Sequence, residues 1–119
     1  MAEIGLRTTM LVKDAMSSPV ITTDENAPSN KVARLMDENK VGAVIVTNKE
    51  GKPFGIITEK DLVIRVLSKN LVPSAVKAKD IMTTPLVTIE PEATISEAAR
   101  KMSSMNIRRL GVLYKGNIA

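Results

Sequence analysis

Apolar positions along this chain of 119 residues change their spacing several times, and each change marks an element. Val32, Leu35 and Met36 recur at helical spacing with Pro28 near the start, which predicts an amphipathic helix over 27–39. Residues 41–47 (VGAVIVT) form an unbroken apolar run, too short for a helix and rich in β-branched side chains, and so predict a buried strand. Polar residues and Gly51 over 48–53 predict a turn, and 54–58 resumes the strand pattern, making 41–58 a hairpin. A helix follows over 59–69, ending near Asn70. Later, Ile95, Ala98, Ala99 and Met102 define one face of a helix over 94–105, opened by the capping-box pattern Thr94-x-x-Glu97. Short strands are predicted at 20–22, 86–89 and 110–114, single helical turns at 11–16 and 79–82, and a turn at Lys115-Gly116-Asn117.

The pattern occurs twice. Lys13-Asp14-Ala15-Met16-Ser17-Ser18-Pro19 returns as Lys79-Asp80-Ile81-Met82-Thr83-Thr84-Pro85, an offset of 66 residues from Asp14 to Asp80. The offset holds without a gap through Ala33/Ala99, Arg34/Arg100 and Met36/Met102, with nine identities in the 24 positions from Lys13. A period this long predicts two copies of one small unit packed on each other. The expected organisation is a lead-in over 1–10, copy one over 11–70, a linker over 71–77 containing Pro73, and copy two over 78–119. Each full copy reads β-α-β-β-α, and copy two lacks most of its return strand and its last helix. The predicted fold class is α+β, with two small sheets face to face, helices outside, and a pseudo-two-fold axis that creates equivalent clefts between the copies.

Composition narrows the chemistry. Apolar residues make up 44 %, enough for a core, but there is one Phe, one Tyr and no Trp, so aliphatic side chains must build it. No apolar run reaches the roughly 18 residues of a membrane span, and the first residues lack a signal-peptide stretch. With no Cys, disulfides and thiolate chemistry are excluded, and the chain reads as soluble and cytoplasmic. The net charge of +4 is dispersed, which favours anionic partners only in general terms. Stacking aromatics and a basic cluster are both missing, which argues against nucleic acid as the principal partner. There is no His, no nucleophile elbow, no phosphate loop and no metal-ligand cluster, so catalysis is not expected.

Two motifs carry candidate chemistry. In Gly55-Ile56-Ile57-Thr58-Glu59-Lys60-Asp61-Leu62 a buried strand runs into a helix. The helix start offers unpartnered N–H groups near which phosphate could settle, and Asp61 offers a carboxylate able to accept two hydrogen bonds from a ribose cis-diol. Thr-x-x-Asp is equally an ordinary helix cap, and the motif alone leaves both readings standing. The second motif is Asn106-Ile107-Arg108-Arg109-Leu110, where two arginines precede a strand and copy one has Gly42-Ala43 instead. Arginine forks match phosphate oxygens, although a solvated pair at a strand entrance is the plain alternative.

The D-x-M-x-x-P opening, the G-h-h-T-x-x-D junction (h, hydrophobic) and the I-R-R-L strand entrance, in tandem, resemble a pair of CBS domains, a Bateman module. The resemblance covers about 11–119 and implies regulatory binding of AMP, ADP, ATP, S-adenosylmethionine or sometimes NAD, with no required cofactor. It implies a homodimer, and action on an enzyme or transporter or alone. Carried over, one cleft takes Thr58 and Asp61 for the ribose, with Thr88, Ile107, Arg108 and Arg109 from copy two. Adenine would lie against Ile57 and Ile107, and the arginines would face phosphate. The other cleft would use Thr22, Val41 and Gly42, but the matching junction of copy two is absent and Gly111 replaces the family's usual Pro. The incomplete second copy also leaves a strand edge to be covered.

Overall fold

The computed structural model describes residues 11–15, 20–114 and 117–118. The expected lead-in over 1–10, Met16 and the Lys115-Gly116 turn lie outside the described residues. The elements are α1 (Val12–Ala15), β1 (Thr22–Asp24), α2 (Ser29–Asn39), β2 (Ala43–Thr47), β3 (Pro53–Thr58), α3 (Glu59–Leu62), α4 (Ala78–Ile81), β4 (Thr88–Ile89), α5 (Ile95–Met105), β5 (Gly111–Tyr114) and β6 (Asn117–Ile118). The fold is α+β.

Two compact units divide the chain. One spans Val20–Leu86. Its sheet runs β1-β2-β3, with β1 parallel and β3 antiparallel to β2. Val44, Ile45 and Val46 are all buried, as a central strand covered on both faces requires. Val32 and Met36 bring the apolar stripe of α2 onto the core, with Leu35 partly buried against it. Pro28 caps α2 in an extended conformation (φ −69°), and the ring's fixed φ leads the chain into the first turn. Lys40, left-handed at φ 56°, ends the helix by donating its N–H to the carbonyls of Asp37 and Met36. In the β2–β3 loop Gly51 takes φ +77°, and the Asn48 side chain accepts from the N–H groups of Glu50 and Lys52.

The helix expected over 59–69 is regular only from Glu59 to Leu62; from Val63 to Leu67 it widens into a π-helix before Asn70, at φ 55°, turns the chain away. Val63, Ile64 and Val66 are β-branched and crowd the preceding turn of an α-helix, so the regular form is weakly held there.

The other unit combines 87–118 with α1. Its sheet runs β4-β5-β6 with the same sense of pairing, and Val12, Ala98 and Val112 form its small core. Thr94 and Glu97 make the full reciprocal cap at the start of α5. The Thr94 backbone N–H, followed by its hydroxyl, holds the Glu97 carboxyl below its ordinary range. Ala99 of the predicted apolar face is exposed, so the buried stripe of α5 is narrower than the periodicity suggests.

The offset of 66 is kept in three dimensions. Shifted by it, α1 becomes α4, α2 becomes α5, and Lys40 becomes Asn106, which is also left-handed at φ 55°. The pairs Thr22↔Ile45 and Thr23↔Val46 likewise become Thr88↔Gly111 and Ile89↔Val112. Two strands begin later than the apolar pattern suggests. β1 starts at Thr22 and β4 at Thr88, because pairing with β2 and β5 rather than local composition sets where each is ordered.

The units cut across the sequence copies. Opening turn α4 of copy two contributes Ala78 and Ile81 to the core built on copy one's sheet, and opening turn α1 of copy one contributes Val12 to the core of copy two. The Ala78 N–H donates to the Ala27 carbonyl (2.8 Å) and the Lys79 N–H to the Glu25 carbonyl (2.9 Å). Ile81 is 2 % exposed. Ile81→Ala is therefore expected to lower the stability of the Val20–Leu86 unit by about 2–5 kcal/mol, as for a buried residue within a single core. Urea denaturation checks this; a loss below about 1 kcal/mol would show that α4 is not part of that core.

Candidate functional site

The strand-to-helix junction is built from β3 outward. One edge of β3 pairs with β2. Its other edge takes the segment after α4: Ile56 and Thr83 exchange N–H···O bonds of 3.1 and 2.9 Å, and the Leu86 N–H donates to the Phe54 carbonyl at 3.2 Å. This pairing brings the Met82 side chain over Gly55. A Cβ on Gly55 would lie 2.6 Å from the Met82 sulfur, 3.1 Å from its Cγ and 3.2 Å from a Thr84 methyl. The Gly of the junction motif and the Met of the opening motif are thus steric complements.

At the end of β3 the chain enters α3 through a reciprocal cap. The Thr58 N–H and hydroxyl both donate to Asp61 Oδ2, at 2.8 and 3.1 Å, and the Asp61 N–H reaches Thr58 Oγ1 at 3.4 Å. Asp61 Oδ1 faces the Arg65 Nε at 3.6 Å, an ion pair longer than a hydrogen bond. The Asp61 side chain is 13 % exposed. A carboxylate offers about four acceptor positions, so Oδ1 keeps capacity for a donor pair.

The expectation that phosphate settles at the start of α3 is corrected by this geometry. The Glu59 N–H donates to the Gly42 carbonyl (3.2 Å), the Asp61 N–H is taken by Thr58, and Glu59 and Asp61 place two carboxylates in the first turn. The junction therefore presents carboxylate oxygens, with the Thr58, Glu59 and Asp61 N–H groups already paired.

The remaining candidates fall as follows. The Ile57 side chain is fully buried in the core with Val44 and Ile81, so the expected packing of adenine on that side chain is corrected: only the Ile57 backbone is left for a ligand. Thr22 is exposed on β1, while Val41 and Gly42 are half-buried. Val41 and Gly42 line an open depression of about 530 Å³ together with Met36, Glu59, Leu62 and Val63; Thr22 does not line it.

In the other unit Thr88 and Ile107 are half-buried, and Arg108 and Arg109 are exposed just after the left-handed residue that ends α5. Among the described residues the ion pairs are Asp37–Lys40 and Asp61–Arg65, and neither Arg108 nor Arg109 pairs with a described carboxylate.

Sequence reasoning missed two cations. Arg65 stands one helical turn beyond Asp61, a spacing that signals a pair. The Lys101 ammonium donates to the Thr88 carbonyl at 2.5 Å. Its counterpart in copy one is Leu35, an asymmetry as readable as that of the arginines. Among the described residues no helix is long and apolar enough to cross a membrane, and no group of three His, Cys, Asp or Glu residues is placed to hold a metal ion.

Two three-stranded sheets of the same topology and register, each with its helix at the same offset, define a tandem α+β repeat protein. The chain belongs to the CBS domain family, whose profile matches residues 12–68 and 78–118. It is 39 % identical over 94 residues to an uncharacterised protein of Methanopyrus kandleri; the match covers 79 % of this chain and 48 % of that protein, so the chain spans about half of that relative's length. Among solved structures it resembles the hexameric CBS-CP12 protein from bloom-forming cyanobacteria, with a TM-score of 0.86, 29 % identity, and coverage of 92 % of this chain and 61 % of that one. It also shares its fold with a CBS domain protein from Pyrobaculum aerophilum complexed with AMP, with a TM-score of 0.81, 24 % identity, and coverage of 92 % and 82 %.

The fit of Met82 over Gly55 yields a direct test. Gly55→Ala is expected to cost about 1–3 kcal/mol through overpacking. In the Met82→Ala background the same change should cost much less. Strict additivity in thermal or urea unfolding would show that the two residues do not press on each other.

Proposed function

We propose that the protein is a regulatory module that binds an adenosine compound, AMP, ADP, ATP or S-adenosylmethionine, and carries out no catalysis of its own. The observation that carries this reading is Asp61: a mostly buried carboxylate at a strand end, with one oxygen committed to Thr58 and the other open to a pair of hydroxyl donors. A ribose diol presents such a pair. In this reading Thr58 and Asp61 hold the ribose, Thr88 and Ile107 flank the base with the Ile57 backbone, and Arg108 and Arg109 meet phosphate. The AMP bound by the Pyrobaculum protein supports the choice of ligand class, since it shows the fold holding such a molecule. The natural setting we propose is the cytoplasm, where the module would report nucleotide status to an enzyme or transporter. The alternative, nucleic-acid binding through the two exposed arginines, predicts affinity for single-stranded RNA without affinity for adenosine.

Calorimetry separates these. Asp61→Ala is expected to weaken adenosine and AMP binding by about 1.5–3 kcal/mol, the scale for hydrogen bonds to a charged group. Replacing Arg108 and Arg109 together by Ala should reduce affinity for AMP far more than for adenosine, and the AMP affinity of the unaltered chain should fall with salt. Unchanged binding after Asp61→Ala removes the site from consideration.

Self-association is the second part of the proposal. Val63, Ile64 and Leu67 are 50, 48 and 72 % exposed, and Leu71 and Val72 are also exposed, which is unusual apolar surface for a small protein. The hexameric state of the cyanobacterial protein supports self-association, and a homodimer is the simplest form. Light scattering over a tenfold concentration range should give a mass above the 12.9 kDa of one chain; a constant monomer would refute it.

A further inference from the structure

Arg65 makes three contacts in the Val20–Leu86 unit. Its Nε lies 3.6 Å from Asp61 Oδ1, and its Nη1 donates to the carbonyls of Ile81 (3.2 Å) and Met82 (3.3 Å). One guanidinium therefore joins the α3 carboxylate to the last turn of α4. It stands within the widened helical segment Val63–Leu67, and π segments of this kind recur at functional sites. The oxygen it faces is Oδ1, the one that Thr58 leaves open.

A surface pair of this sort contributes little when both partners are solvated. This pair is different on one side: the Asp61 side chain is 13 % exposed, against 44 % for Arg65. The planar guanidinium is also fixed by its two carbonyl bonds, so its Nε is aimed before any ligand arrives. A carboxylate held from both sides loses little freedom when it accepts a diol.

We infer that Arg65 is a positioning residue for diol recognition: anchored on the Ile81 and Met82 carbonyls, it fixes Asp61 with Oδ1 turned to the ligand. This rests on the proposed binding of an adenosine compound at Asp61. Adenosine is the suitable probe, since it carries the diol and no phosphate and so leaves Arg108 and Arg109 out of the measurement.

The test is a double-mutant cycle in adenosine affinity, read by calorimetry. Arg65→Gln is expected to weaken adenosine binding about tenfold in the otherwise unaltered chain, and less than about twofold further in the Asp61→Ala background. Arg65→Lys, which keeps the charge but not the planar fork, should recover little of the loss. A role confined to stitching α3 to α4 would lower the unfolding temperature and would weaken binding equally in both backgrounds. An equal loss in both, or no loss in either, overturns the role of Arg65 while leaving the Asp61 site standing. If the unaltered protein does not bind adenosine, or Asp61→Ala leaves its affinity unchanged, the binding reading itself fails and the Arg65 inference with it. A second readout uses the unaltered chain and does not depend on any variant folding: the Arg65 Nε–H resonance should move as adenosine saturates the protein. A signal unmoved at saturation overturns the inference.

Discussion

The structure depends on the way the segment from α4 to Leu86 is laid along β3. Ala78 and Ile81 fill the core beneath the sheet, Ile56 and Thr83 pair their backbones, and Met82 sits where Gly55 leaves room. Each contact joins residues of different sequence copies. Burial of the isoleucine alone is worth about 1.5–3 kcal/mol, a large share of what a unit of this size has to spare. The same segment presents the Ile81 and Met82 carbonyls to Arg65 and so reaches the junction carboxylate. Packing, strand pairing and the candidate chemistry therefore share one stretch of chain.

The two copies are alike in frame and unlike in charge. In copy one the junction gathers Thr58, Asp61 and Arg65, with the N–H groups of Thr58, Glu59 and Asp61 already paired. In copy two the stretch before β5, which corresponds to Gly42-Ala43 of copy one, carries Arg108 and Arg109, and Lys101 stands where copy one has Leu35. The frame is kept at a fixed offset while the polar groups mounted on it differ.

Much of the frame was legible in the chain. The period of 66 anticipated helices, strands and sheet pairing alike, because a repeated sequence repeats its local preferences and its register. The cap at Thr94 and Glu97 was readable for a local reason, since all its partners lie within four residues. Long-range contacts were not readable. Nothing in 78–81 says which sheet it will pack on, and nothing in Gly55 names Met82 as its neighbour. The fate of Ile57 was hidden for the same reason. A strand's alternation shows that two faces exist but not which is buried, and Ile57 faces the core. At Thr58-x-x-Asp61 the cap and the ligand reading had stood as rivals; the cap is formed, and it leaves one oxygen over.

The exchange of opening turns has a consequence for the order in which the molecule is made. The Val20–Leu86 unit is continuous in sequence, so every residue of its core has left the ribosome once Leu86 has, while α5 and β5 are still to come. The other unit joins Val12 to Ala98 and Val112, residues far apart in the sequence. Its closure spans most of the chain, and the entropy of that loop falls when a folded body replaces much of the flexible polypeptide between the ends. Synthesis then favours one order: the contiguous unit has all of its residues first, and the second closes only after 98–112 have been made.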